Sequence, residues 1–149
     1  MSKHFTYDGS RNTNSWIKLP IGLYQATDDI LVRLHDDADV HYTFTIMPGF
    51  RTDGGSVPSA LQWFVPKWSE DNPIVNLAYS LHDGIYATAC LPRPYADDLL
   101  RGMLRDAGLN RFRASTVCWA VNQFAFRHYG PEYDTLESGP FFRMIKYRI

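Results

Sequence analysis

Apolar and polar positions alternate most cleanly over Val40–Ile46 (VHYTFTI), which puts Val40, Tyr42, Phe44 and Ile46 on one face of a half-buried strand. Residues 30–34 (ILVRL) are β-branched and aliphatic and predict its antiparallel partner, with His35-Asp36-Asp37-Ala38-Asp39 as the turn between them. Three carboxylates in that turn suggest a metal loop, but aspartate is a common turn residue and a solvated hairpin turn is the preferred reading. Residues 1–27 are polar and turn-rich and read as an irregular arm with one edge strand over residues 16–23. From Asn72-Pro73 the period changes. Ile74, Leu77, Ala78, Leu81 and Ile85 recur at helical spacing, and Val75, Tyr79, His82 and Tyr86 form the adjoining stripe. A connector over residues 87–92 leads to a second helix, with Pro94 in its first turn. Its core positions are Tyr95, Ala96, Leu99, Leu100, Met103, Leu104 and Ala107, and Gly108 caps it. A third helix is expected over residues 111–128, with Phe112, Val117, Ala120, Val121, Phe124 and Ala125 apolar, stopped by Gly130-Pro131.

The expected fold is α+β: a three-helix core with an N-terminal β-hairpin or small antiparallel sheet and an irregular C-terminal tail. One domain is expected over residues 1–149. Residues 1–46 are a β-rich arm and hairpin, 47–58 a glycine loop, 59–129 the helical core and 130–149 the tail. Within the loop, Ser56 suits an N-cap and Pro58 the first turn of a short helix over residues 59–64. The tail is aromatic (Tyr133, Phe141, Phe142, Tyr147) and is expected to pack on the body or on a neighbour, which favours assembly.

At 149 residues the chain can bury a core, and at 45% hydrophobic and 15% aromatic it reads as globular. A formal charge of -1 supplies no broad field for a polyanion, so there is no strong nucleic-acid signal. The two cysteines, Cys90 and Cys118, form no CxxC and no disulfide framework. No apolar run reaches the roughly 18 residues of a membrane span, so no transmembrane segment is expected. The first ten residues lack the apolar stretch of a signal peptide, and folding in the cytoplasm is expected.

The candidate chemistry lies in three stretches: Met47-Pro48-Gly49-Phe50-Arg51-Thr52-Asp53-Gly54-Gly55-Ser56-Val57-Pro58, then Leu81-His82-Asp83-Gly84-Ile85-Tyr86, then Arg93-Pro94-Tyr95-Ala96-Asp97. An imidazole titrates near neutrality and can take a proton from water, provided a carboxylate orients its other nitrogen. Asp97, on the next helix, is the candidate partner of His82. Asp83 projects roughly 100° around its helix from His82 and is available to a cation. Calcium takes carboxylates together with loop carbonyls, and Asp53-Gly54-Gly55 offers both. Gly54 and Gly55 permit a tight loop around a small ligand. A cation there would polarise an ester carbonyl or phosphoryl oxygen.

Each residue also has a plainer reading. His82 alone is a helix histidine stacked on Tyr79, Asp83 a surface carboxylate, and Asp53 the closer of an Asx-turn. Arg51 and Arg93 either bind an anion or pair with Asp53, Asp97 or Asp98. Asp98 reads as a solvated first-turn carboxylate. Trp63, Phe64 and Trp68 read as core rather than as a lipid-facing rim.

The arrangement resembles the active site of phospholipase A2, particularly its bacterial branch. There too a glycine-containing calcium loop precedes a helix with His-Asp and a following tyrosine, and a second helix supplies the dyad aspartate. That resemblance implies His82 as base, Asp97 as its partner, Asp83 and Asp53 as calcium ligands, and a lipid or ester substrate. Gly54, Gly55, Ser56, Tyr86 and Arg93 would line the substrate side or the loop. The chain lacks the cysteines that brace that family's helices. Across its whole length, the ordered signature PGFRTDGGSVP, LHDGIY and R-P-Y-AD resembles a family of uncharacterised proteins common in phages and prophages, known only as a domain of unknown function. This resemblance implies a phage gene product, in the virion or in the host cytoplasm, whose partners are other virion proteins or copies of itself. Two classes stand: a calcium-assisted His-Asp hydrolase, and a non-catalytic tail, baseplate or head-decoration subunit.

Overall fold

The computed structural model describes residues 3–8, 16–20, 22–36, 40–53, 72–125 and 129–148. Its strands are β1 (Lys3–Asp8), β2 (Trp16–Lys18), β3 (Tyr24–Ala26), β4 (Ile30–Asp36), β5 (Val40–Ile46), β6 (Arg51–Thr52) and β7 (Phe142–Arg148). Its helices are α1 (Pro73–Thr88), α2 (Arg93–Asp106) and α3 (Arg111–Ala125), with two 3₁₀ turns, Pro131–Tyr133 and Gly139–Phe141. The α+β architecture expected from the sequence is the one found.

The strands form two antiparallel sheets. One has the order β1-β4-β5-β7, the other β2-β3-β6. The alternation in β5 buries Val40, Tyr42, Phe44 and Ile46, and the register with β4 sets them beside Leu34, Val32 and Ile30. These side chains share one core with Val75, Leu81 and Ile85 of α1 and with Leu99, Leu100 and Met103 of α2. Opposite faces of the sheet therefore separate cleanly: an inner face under the helices, and an outer face carrying Arg33, His35, His41, Arg143, Ile145 and Tyr147.

The sequence reading of a single edge strand in residues 1–27 is expanded by the structure into three short strands, β1 to β3. The tail is irregular through its two 3₁₀ turns and then adds β7, antiparallel to β5 from Ile46↔Phe142 to Val40↔Arg148. In β7 the apolar residues fall on both faces, Phe142 and Met144 inward and Ile145 and Tyr147 outward, so no period of two stands out. The short helix expected over residues 59–64, and the three aromatics Trp63, Phe64 and Trp68, lie outside the described residues.

Helix α1 starts where Asn72 accepts a hydrogen bond from the Val75 amide, with Pro73 in the first turn. It ends at Ala89, which takes the left-handed conformation (φ 53°). After α2, Gly108 (φ 102°) and the Leu109 amide return to Arg105 and Leu104 carbonyls, the glycine turn that the sequence predicted. Asn110 caps α3 by accepting from the Arg113 amide at 2.8 Å.

Candidate functional site

Helices α1 and α2 pack side by side, and hydrogen-bonded side chains join them. His82 Nε2 and Asp97 Oδ1 are 2.8 Å apart. Both residues are buried, with 5% of His82 and 9% of Asp97 exposed. Tyr86, one turn after His82, donates its hydroxyl to the same Asp97 oxygen at 2.8 Å and lies against the imidazole with ring centroids 4.1 Å apart. Arg93 donates from Nε to the Tyr86 hydroxyl at 3.5 Å. The helical spacing of His82 and Tyr86 makes this possible, because residues four apart share a face.

Two contributors come from α3, and the sequence reading did not include them. Asn122 donates Nδ2 to Asp97 Oδ2 at 3.2 Å, and the Cys118 thiol meets the Asp97 backbone carbonyl at 3.3 Å. Cys118 and Asn122 are one turn apart on the stripe of α3 that faces α2. That spacing is the only signal that could have singled them out. Both carboxylate oxygens of Asp97 thus have donors. Burial alone would raise its pKa, but hydrogen bonds from His82 and Tyr86, the charge of His82 and the Asn122 amide together hold it below the usual carboxylate value. Burial and the neighbouring Asp97 push the Tyr86 phenol up, against the opposing Arg93. Burial likewise pushes the Cys118 thiol up to about 12, so it is no nucleophile.

Asp83 turns away from this dyad, toward β6. Its Oδ2 accepts from the Thr52 hydroxyl at 2.5 Å. Burial raises Asp83 to about 8, the negative charge of Asp53 adds to the rise, and the Thr52 hydrogen bond opposes it. Asp53 itself is exposed, at the end of β6. The tail braces this strand: Ser138 donates its hydroxyl to the Arg51 carbonyl at 2.5 Å, and Arg51 Nε donates to Gln25 on β3 at 3.0 Å. Arg51 is thus occupied at the sheet edge.

Two neighbouring carboxylates, with a hydroxyl beside them, are a donor set that suits a hard cation. Among the described residues no group of three or more His, Cys, Asp or Glu gathers, so Asp53 and Asp83 would be the charged share of such a site. Gly54, Gly55 and Ser56 lie outside the described residues. Of the sequence-chosen residues, His82, Asp97, Tyr86 and Arg93 form one connected network, and Asp83 and Asp53 form a second on the next face of α1. The His82 imidazole lies against the Tyr86 ring, tilted by 34°.

A family model described as a protein of unknown function (DUF1353) matches residues 29–121. That stretch contains β4 to β6, α1, α2 and most of α3, and with them Asp53, His82, Asp83, Tyr86, Arg93 and Asp97. No curated protein and no solved structure matches the chain. Among the described residues no helix is long and apolar enough to cross a membrane.

Proposed function

Since the chain belongs to the DUF1353 family of proteins of unknown function, its chemistry has to be read from the site, and we propose a cation-assisted His-Asp ester hydrolase of phospholipase A2-like type. The observation that carries this reading is the division of labour on α1: His82 engages Asp97 at 2.8 Å, while its neighbour Asp83 faces Thr52 and Asp53.

In this reading His82 holds Asp97 through Nε2 and takes a proton from water through Nδ1. The hydroxide oxygen forms a bond to the ester carbonyl carbon, whose π electrons move onto the carbonyl oxygen. When that oxyanion collapses, the bond to the leaving alkoxide breaks and the alkoxide takes the proton from His82. Asp97, kept ionised by Tyr86 and Asn122, supports the positive charge on the imidazole between these steps. A calcium ion at Asp53 and Asp83 would supply positive charge to offset the oxyanion. Arg93 fixes Tyr86, and through it the Asp97 oxygen that His82 uses.

A second reading, a phage virion component in which the same network is a rigid core, is favoured by the burial of His82 and the complete occupation of Asp97. One assay separates the two: purified protein with calcium on phospholipid and short-chain esters, wild type beside His82→Gln. The hydrolase reading expects the variant to keep its fold and lose about 10²–10⁴-fold in rate, the usual worth of a general base. Equal background rates for both proteins, with a lower melting temperature for the variant, would leave the structural reading.

A further inference from the structure

Strand β7 ends the sheet order β1-β4-β5-β7 and pairs with β5 along its whole length. Among the described residues no strand pairs with its other edge. Alternate residues of β7 therefore aim backbone N–H and C=O groups away from the sheet, a template for a further strand. Proteins guard such an edge with a bulge, a proline, a very short strand or a charge aimed across it. β7 is seven residues long and contains no proline. Its register with β5 runs without a break from Ile46↔Phe142 to Val40↔Arg148. Its lysine is drawn over the sheet: Lys146 Nζ stands 5.8 Å from the centroid of the Tyr42 ring on β5. On the outer face two large apolar side chains are exposed, Ile145 at 54% and Tyr147 at 45%, with Arg143 before them.

We propose that this edge pairs with β7 of a second copy of the chain, antiparallel, about a two-fold axis through Ile145. Directly opposed residues of an antiparallel pair share a face, so a symmetric pairing must be centred on a residue. Centred on Ile145, all seven residues of each strand find an opposite number. Ile145 then meets the partner's Ile145, Arg143 meets the partner's Tyr147, and Met144 meets the partner's Lys146. No like charges are directly opposed, the two isoleucines bury each other, and each guanidinium falls beside a phenol ring, a favourable cation–π pairing. The neighbouring registers are worse. Centring on Lys146 sets two ammonium groups against each other. Centring on Met144 sets Arg143 against isoleucine and leaves Tyr147 and Arg148 beyond the end of the opposing strand. The product is one eight-stranded sheet, four strands from each copy, with the helices of both copies on the same face. This pairing is independent of the chemistry at His82.

The test is sedimentation of the full chain over a range of concentrations, where wild type should form a dimer. Ile145→Lys sets two ammonium groups face to face and should weaken self-association by at least about tenfold. An equimolar mixture of Ile145→Lys and Ile145→Glu should restore the dimer, which a misfolded variant could not do. Cross-linking reads the register. Ile145→Cys should form an intermolecular disulfide with itself, since directly opposed residues have Cα atoms about 4.5–5.5 Å apart, within the span of the bond. Arg143→Cys and Tyr147→Cys should do so only when mixed with each other, and the wild-type chain, with Cys90 and Cys118 alone, sets the background. Four results would overturn the proposal: a wild-type monomer at every concentration, a mixture of the two charge variants that stays monomeric, cross-linking that ignores this register, or a dimer that Ile145→Lys leaves intact. Association through the exposed Phe112 and Trp119 of α3 would give the last of these.

Discussion

Asp97 accepts from His82, Tyr86 and Asn122, and Tyr86 shares one oxygen with His82. Removing the Tyr86 hydroxyl leaves that oxygen with a single donor and takes a partner from Arg93. Tyr86→Phe is therefore expected to cost about 1.5–3 kcal/mol, the range for a hydrogen bond to a charged group, measured by urea unfolding. The lowered pKa of Asp97 means that its stabilisation is present above the usual carboxylate value and lost as pH falls through the lowered one. Tyr86→Phe should accordingly move the acid unfolding midpoint upward. Asp83 has the opposite sign. Its folded-state value of about 8 lies above the ordinary 3.8, so the folded chain keeps a proton that the unfolded chain releases between those values. Its contribution is complete below about pH 4 and is lost as pH rises through about 8. Asp83→Asn, neutral throughout, should match wild type in melting temperature near pH 4 and exceed it at pH 9. On the cation reading, calcium should raise the wild-type melting temperature more at pH 9 than at pH 6, and should do neither in Asp83→Asn.

Helix α1 and the cap that ends it hold two small residues, Gly84 and Ala89, whose substitutions should run against helix propensity. An alanine in place of a helical glycine ordinarily stabilises by roughly 0.5–1 kcal/mol. At Gly84 the added Cβ would lie 2.7 Å from Cγ of Phe142 and closer still to two other ring carbons, in a core with no slack. Overpacking of this kind costs about 1–3 kcal/mol, so Gly84→Ala should destabilise on balance. Ala89 is the reverse case: at φ 53° it ends the helix in a conformation that costs an L-residue about 1–2 kcal/mol. Ala89→Gly should raise the melting temperature, and thermal scans of both variants check the pair. The same helix shows what the sequence made legible. Ile74 to Ile85 announce its apolar face, and the four-residue step from His82 to Tyr86 places both beside the next helix, so the dyad with Asp97 could be anticipated. Asn122 was harder to see, because beside Gln123 near the end of α3 it reads as a surface amide, and only its one-turn spacing from Cys118 points to it. Thr52 could not be anticipated, because only the chain path of β6 brings its hydroxyl to Asp83. The alternation of β5 was plain, whereas β7 hid behind apolar residues on both its faces.

At the scale of the molecule, Phe142 joins layers that are distant in sequence. It is buried, 6.1 Å by centroid from both Phe44 and Phe50, and its ring rests against Gly84 of α1. Phe142→Ala should cost about 3–5 kcal/mol, the range for emptying a buried aromatic position, with an unchanged dependence on urea concentration if folding stays cooperative. The pairing of β5 with β7 also has a consequence in time. During synthesis β4 and β5 leave the ribosome early, and β7 follows only after all three helices. Until then the β5 edge has no native partner, and the inner face of the hairpin lacks Phe142. Closing so long a loop is slow compared with forming α1 or the hairpin. The interval exposes a strand edge with alternating apolar residues, the kind of edge that recruits foreign strands. Completion of the sheet is thus a late event, and the order of translation sets how long the nascent chain depends on protection from aggregation.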